Sequence, residues 1–183
     1  MKTLLNLLTF FALSALLVAC SQPSLKDPGS RFYRVQEGSR ITVNQPLGVP
    51  GGKTRVFLQR GAVTSFSDLD QYAPSCSFVV WHLRQEPQSI QPDSFTVQRV
   101  TLGETEIVAL PGARTVAGLF PLSAWDGGEP LVARYYDHWL ASDRQPNVRR
   151  LRCYGAMADL SEAQLPLFIE MEAALGEMAT LEH

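Results

Sequence analysis

The chain has 183 residues, of which 45% are hydrophobic and 19% are charged, and its formal net charge at pH 7 is −2. This length suffices for one domain with a proper core but is short for two. The near balance of charge, with no long run of one sign, argues against a polybasic nucleic-acid-binding surface and against a disordered charged tail. We therefore expect a single globular domain with no nucleic-acid partner and no bound cofactor.

The first twenty residues have the pattern of an export leader. Lys2 precedes an apolar run from Leu4 to Val18, which is too short for a stable membrane span. The run ends in Leu17-Val18-Ala19-Cys20, which resembles the lipobox of bacterial lipoproteins. This resemblance implies a signal peptide at residues 1–19 and acylation of Cys20. Because each buried methylene contributes about 0.8 kcal/mol, two or three fatty chains such as palmitate would attach the protein to a membrane permanently.

The residues after Cys20 indicate where the anchored domain lies. In lipoproteins of Gram-negative bacteria an Asp after the lipidated cysteine favours inner-membrane retention, and Ser21 therefore resembles an outer-membrane sorting signal. Residues 20–30 are polar and show no apolar period, which predicts a tether with a reach of up to about 33 Å. We expect the domain to occupy the periplasmic side of the outer membrane, with exposure at the cell surface as the alternative.

Residues 31–183 are predicted to form one β-rich domain. Alternating or β-branched runs bounded by Gly, Pro and Asn predict short strands. These runs are residues 32–35, 40–44, 53–59, 76–83, 95–101, 106–110 and 115–120, and a hairpin of 131–140 with 148–155 follows a loop at 121–130. In the run at 95–101 simple alternation places Phe95, Val97 and Arg99 on one face. The segment from Cys76 to Leu83 should be central in the sheet.

The C-terminus alone has helical spacing. Leu165, Phe168, Ile169 and Leu175 recur at helical intervals, and Ser161 is a suitable N-cap, so we predict a helix over about 161–178. Pro166 would fall in the first turns, where a missing amide costs little. The predicted fold class is therefore mainly β: an antiparallel sheet curled into a barrel or sandwich, with one C-terminal helix packed on it.

Two cysteines remain once Cys20 is assigned to lipid. In an exported protein Cys76 and Cys153 are expected to form a disulfide, and closing a loop of about 77 residues would stabilise the fold by roughly 4 kcal/mol. A metal pair or a nucleophilic thiol are the alternatives. Neither is favoured, because no ligand cluster with the spacing of a zinc site accompanies the two residues.

Candidate catalytic chemistry is sparse. His82 and His138 lie on separate predicted strands, and with Asp137 they have the right chemical types for a metal or acid–base site. Structural histidines held by hydrogen bonds are the commoner explanation. The sequence contains no Gly-x-Ser-x-Gly elbow and no phosphate-binding loop. We therefore predict neither a catalytic residue nor a metal site.

Aromatic and arginine side chains are the better candidates for binding. Trp125, Tyr135, Tyr136 and Trp139 could form an exposed patch that docks a partner or ligand, or could be buried under the 121–130 loop. A group of arginines could likewise meet an acidic partner or lipid phosphate, or simply be solvated. This group comprises Arg55, Arg60, Arg149, Arg150 and Arg152.

Two further segments carry a family resemblance. The strand Arg55–Gly61 followed by Tyr72–Phe78 resembles a pattern in uncharacterised proteobacterial lipoproteins, and this likeness covers about the first half of the domain. It implies a structural role for Cys76 and transfers no catalytic residue. The expected function is a non-catalytic accessory or interaction module of the cell envelope, with another envelope protein as the expected partner. The alternatives are a small-ligand-binding β-barrel and a metal-assisted envelope hydrolase.

Overall fold

A computed structural model describes residues 33–106 and 130–182, together with Pro28 and Ser30. Within these ranges the chain is mainly β, as predicted, with one antiparallel sheet curled into a half-barrel and a single C-terminal α-helix. The strands are β1 (Arg40–Val43), β2 (Leu47–Val49), β3 (Arg55–Gln59), β4 (Ala62–Thr64), β5 (Ser75–Val80), β6 (Gln88–Ile90), β7 (Asp93–Glu106), β8 (Leu131–Ala141), β9 (Val148–Tyr154), β10 (Ala158–Asp159) and β11 (Ala179–Leu181). The helix is α1 (Phe168–Leu175).

The main sheet has the strand order β11-β1-β7-β8-β9-β5-β3-β4, and β10 pairs with β8 at its edge. Strands β7, β8 and β9 form an antiparallel meander, which confirms the predicted hairpin of β8 and β9. All six residues of β5 are buried between β3 and β9, as expected for an interior strand. Strands β2 and β6 form a separate two-stranded sheet within segments predicted as connections.

The core lies between the concave surface of the sheet and α1. The helix packs on β3 and β5 and buries Phe168, Met171, Ala174 and Leu175. Phe78 of β5 and Phe95 of β7 are fully buried in the same core. Burying each phenylalanine contributes about 1.5–3 kcal/mol, so this layer supplies much of the driving force for folding. The concave side of the half-barrel is thus filled by protein side chains.

The predicted disulfide is confirmed. Cys76 of β5 and Cys153 of β9 lie directly opposite each other in the antiparallel register, with their Cα atoms 4.0 Å apart, and both are fully buried in the core. Such close pairs occur at the non-hydrogen-bonded positions of antiparallel strands. The crosslink therefore joins two neighbouring central strands that are 77 residues apart in the chain.

The helix is shorter than predicted, because α1 begins at Phe168 and not near Ser161. Pro166 disfavours helical backbone at the residue before it, and Leu167 is also extended, with φ −70° and ψ 157°. The Glu170 carboxylate, 2.7 Å from the Leu167 amide, accepts the hydrogen bond at the helix start. A 3₁₀ turn (Gly176–Met178) follows the helix and ends where the prediction placed its end.

Several other local predictions are wrong, and some concern residues that the structure does not describe. Residues 33–36 are not a strand, and His82 lies beyond the end of β5. Strand β11 was not predicted; it pairs with β1 and forms one edge of the sheet. Several predictions concern residues outside the described ranges: the lipidation of Cys20, most of the tether, and the elements within 107–129, with Trp125.

Candidate functional site

The surface of the sheet opposite α1 carries a dense group of arginine and aromatic side chains. Side chains alternate along β8 and β9, so Tyr136 and Cys153 point into the core, whereas Tyr135 and Arg152 point to the opposite surface. We call this surface the arginine–aromatic face. It comprises Arg55, Trp81, Arg99, Tyr135, Asp137, Trp139, Arg149, Arg150, Arg152 and Tyr154.

Two β-bulges bring additional arginines to this face. In β7 the register shifts at Gln98, so Val97 stays in the core while Arg99 pairs with Trp139 on the opposite surface. In β9 the shift lies at Arg149, and both Arg149 and Arg150 contact the Trp139 ring. A bulge inserts one residue and changes which side chains share a face. The expectation from simple alternation that Arg99 lies with Phe95 and Val97 is therefore wrong.

Asp137 is the carboxylate at the centre of the face. Its two oxygens lie 2.6 Å from the Nε and Nη2 atoms of Arg152, and one of them lies 3.2 Å from Nη1 of Arg150. Its side chain is 5% exposed, and those of Arg150 and Arg152 are 13% and 14% exposed. Burial by itself lowers the pKa of Arg152, but hydrogen bonds to Asp137 and Tyr154 outweigh it, and the pKa lies above its usual value.

Stacking on aromatic rings holds the other guanidinium groups. The Arg149 guanidinium carbon lies 4.1 Å from the Trp81 ring centre and 4.9 Å from that of Trp139. Arg99 is also 4.9 Å from Trp139. Arg152, already bonded to Asp137, lies 3.8 Å from the Tyr135 ring. Cation–π contacts of this kind contribute about 0.5–2 kcal/mol each and orient the planar guanidinium.

The positive charges on this face exceed their counterions. The Nε atoms of Arg149 and Arg150 are buried and have no hydrogen-bond acceptor among the residues that the structure describes. Burial lowers the pKa of Arg150, and the neighbouring Arg152, Arg149 and Arg55 lower it further, against the opposing effect of Asp137. Buried charges in proteins are normally paired, so this excess indicates a surface suited to an external anion.

The structure places the members of the predicted aromatic patch on different surfaces of the sheet. Tyr135 and Trp139 share the arginine–aromatic face, but Tyr136 points into the core, is 3% exposed and is not part of this surface. Burial raises the Tyr136 pKa, and Arg34 beside it acts in the opposite direction. The predicted patch is thus reduced to two of its members among the described residues.

The predicted arginine group is also divided. Arg55, Arg149, Arg150 and Arg152 belong to the arginine–aromatic face, whereas Arg60 lies in the β3–β4 turn and forms an exposed ion pair with Asp70 at 2.7 Å. Sequence analysis missed Arg99 and the stacking role of Trp81. The spacing of Val97 and Val100, which breaks the two-residue alternation, was the available signal for the bulge that exposes Arg99.

The histidines and Asp137 do not form one site. Asp137 and His138 are consecutive in β8 and point to opposite surfaces of the sheet, while His82 is exposed beyond β5. Burial lowers the His138 pKa to about 4, although its hydrogen bond with Leu151 and the charge of Asp137 oppose this shift. His138 is therefore a neutral core residue at pH 7. Among the described residues no group of three or more His, Cys, Asp or Glu could hold a metal ion.

Two open cavities lie beside β3, and Arg55, Phe57 and Phe66 border both of them. One, of about 260 Å³, is bordered by Arg55, Phe57, Phe66 and Tyr154 and adjoins the arginine–aromatic face. The other, of about 690 Å³, is mainly apolar and lies beside Phe57, Phe66 and Leu83. Phe66 and Leu83 are 65% and 59% exposed. Both cavities are open grooves on the surface, outside the filled concave side of the half-barrel.

Comparison with known proteins gave no identification: no protein-family model, curated protein or solved structure matches this chain. Within the described ranges, no helix has the length and apolar character needed to cross a bilayer.

Proposed function

We propose that this chain is a lipid-anchored protein of the bacterial cell envelope that acts as a non-catalytic interaction module. The anchor is the acylated Cys20 at the end of the Leu17-Val18-Ala19-Cys20 lipobox, with Ser21 directing the protein to the outer membrane. The contact surface is the arginine–aromatic face. The buried Cys76–Cys153 disulfide supports export, because such crosslinks persist in oxidising compartments.

The residue types on the face carry the proposal. Trp, Tyr and Arg dominate the energetic centres of protein–protein interfaces, because large rigid rings and planar cations bury much area with little loss of entropy. Here Trp81, Trp139 and Tyr135 alternate with stacked arginines on one surface, and Trp81 is 52% exposed. Arginine side chains on a fully solvated strand face would extend into water and would not stack on aromatic rings in this way.

The start of the described domain supports the same surface. Tyr33, near the start of the folded domain, packs on Phe168 of α1 with ring centres 4.9 Å apart. The chain thus enters the domain on the helix side of the sheet. The arginine–aromatic face lies on the opposite side and is free to point away from the anchoring membrane towards a partner.

Photo-crosslinking in intact cells tests the proposed contact surface. A photoreactive amino acid is placed at Trp81 on the face, and at Ile169 on α1 as the control, since the two side chains are 52% and 56% exposed. We expect a discrete crosslinked protein from position 81 and none from position 169. The absence of an adduct at 81, or the same adducts at both positions, would contradict the proposal.

Lipid attachment has its own test. Cells expressing the full chain are labelled with radioactive palmitate and fractionated, and the Cys20→Ala variant is the control. We expect label in the outer-membrane fraction for the parent chain and no label for the variant. Equal labelling of the two chains, or no labelling of either, would refute the anchor.

A further inference from the structure

Resting on the proposed function, we infer that the arginine–aromatic face recognises an acidic, carboxylate-rich segment of a partner protein. Arg99 and Arg149 are the residues that bind its carboxylates.

The charge of the face is opposite to that of the rest of the chain. Its five arginines and Asp137 sum to +4, whereas the whole chain has a net charge of −2, so the remaining residues carry −6. This asymmetry concentrates a positive potential on one surface. A partner with the complementary sign would be steered to this face and repelled by much of the remaining surface.

The internal carboxylate neutralises only part of this charge. Both oxygens of Asp137 are engaged by Arg152, and one of them also contacts Arg150. Arg99 and Arg149 have no ion pair with any carboxylate in the described part of the chain. Arg55 has no such ion pair either, but Arg99 and Arg149 are the two unpaired arginines of the face that stack on tryptophan rings, and we assign the external anion to them.

Stacking prepares these two groups for binding. Arg149 lies against Trp81 and Trp139, and Arg99 lies against Trp139. A stacked guanidinium has already lost much of its rotamer freedom, yet the N–H groups at the edge of its plane can still donate; for Arg149 these are the terminal Nη groups, because its Nε is buried. The entropy lost on binding is correspondingly reduced. The paired bonds between Arg152 and Asp137, both 2.6 Å long, show the carboxylate geometry that such a fork accepts.

The observations favour a protein over a phospholipid surface. Tyr33, at the start of the described domain, packs on Phe168 on the helix side of the sheet, so the chain leads towards the anchor from the side away from the arginine–aromatic face. The cations are all arginines interleaved with aromatic rings, which is the composition of protein-interface centres. An acidic segment satisfies both the charge and the carboxylate geometry.

Binding of an acidic probe tests the inference directly. The full-length acylated protein in neutral detergent is titrated into a fluorescent oligoglutamate peptide of about ten residues, and anisotropy is recorded at two salt concentrations. The test variant is R99Q/R149Q. The matched control is R60Q/R84Q, which removes the same charge from two arginines outside the face. Thermal unfolding establishes that each variant is folded.

We expect R99Q/R149Q to weaken peptide binding at least about tenfold, and R60Q/R84Q to weaken it less than about twofold. Equal losses in the two variants, or no binding by the parent protein, overturn the inference. If R99Q/R149Q does not fold, the single variant R99Q is compared with R60Q, because the Arg99 side chain is exposed.

Two further arms identify other occupants. Binding of a fluorescent short-chain phosphatidylglycerol without binding of the peptide would assign the face to phosphate headgroups and overturn the inference. Self-association that is lost in R99Q/R149Q would assign the face to a second copy of this chain and would also overturn it. A partner crosslinked at position 81 with a yield unchanged by R99Q/R149Q overturns this inference alone and leaves the proposed function intact.

Discussion

Replacing Asp137 by Asn removes the one carboxylate that holds the centre of the arginine–aromatic face. Asp137 is 5% exposed and makes two 2.6 Å bonds to Arg152 and one 3.2 Å contact to Arg150. Asn has the same shape and keeps one acceptor, but it leaves Arg150 and Arg152 without a counterion. Breaking a buried ion pair from one side costs about 3–5 kcal/mol. Because one acceptor is kept, we expect a loss near 3 kcal/mol.

This loss is large relative to the stability of a domain. Typical free energies of unfolding are about 5–15 kcal/mol, and 3 kcal/mol changes the unfolding equilibrium roughly 150-fold. Urea titration of residues 21–183, with the disulfide intact, measures the change in the unfolding midpoint. The destabilisation of D137N should also decrease as salt is added, because screening reduces the repulsion between its uncompensated arginines.

Asp70→Asn is the matched control, since it makes the same chemical change in an exposed pair. The Arg60 and Asp70 side chains are 73% and 40% exposed, and surface pairs contribute about 0–1 kcal/mol. A D137N protein whose stability falls by less than about 1 kcal/mol, like that of D70N, would refute the view that this carboxylate neutralises a buried cationic cluster.

Three further predictions concern the core and its connections. The His138 pKa is lowered from 6.5 to about 4, so the unfolded state gains protons first as the pH falls. The free energy of unfolding is therefore highest above about pH 6.5 and decreases as the pH falls towards about 4. Relative to H138Q, the wild-type protein should lose about 2–3 kcal/mol between pH 7.5 and 4.5 in urea titrations, and a parallel pH profile would contradict this. Replacing Cys76 and Cys153 by Ala should reduce stability by about 4 kcal/mol through the open 77-residue loop, and an unchanged thermal midpoint would exclude that role. Gly176→Ala places a methyl group 2.4 Å from the Gly61 Cα at φ +55°, so we expect a loss above about 1 kcal/mol by thermal unfolding; a stabilised variant would refute the steric argument.

Much of the fold could be predicted from local pattern. Runs of β-branched and aromatic residues predicted the segments that became β3, β8 and β9, because strand formation depends on residue type and spacing within the chain. The pairing of Cys76 with Cys153 followed from their number and from the export leader. The lipid anchor at Cys20 is likewise a sequence-level prediction, and it stays a prediction.

The candidate site could be predicted only in part. Tyr135, Trp139 and most of the arginines were identified by residue type, but Tyr136 was assigned to the same patch although it faces the core. Composition identifies which residues favour interfaces and carries no information on which of two sheet surfaces each one occupies. A single-residue change in register reverses that assignment for every following side chain.

The sequence by itself determined the β class, the disulfide and the apolar surface of the C-terminal segment, because these depend on local spacing and on residue chemistry. Tertiary structure decided the rest. The bulges at Gln98 and Arg149 form where neighbouring strands must fit a curled sheet. They place Arg99, Arg149 and Arg150 on one surface. The late start of α1 and the pairing of β11 with β1 likewise depend on contacts between residues far apart in the chain.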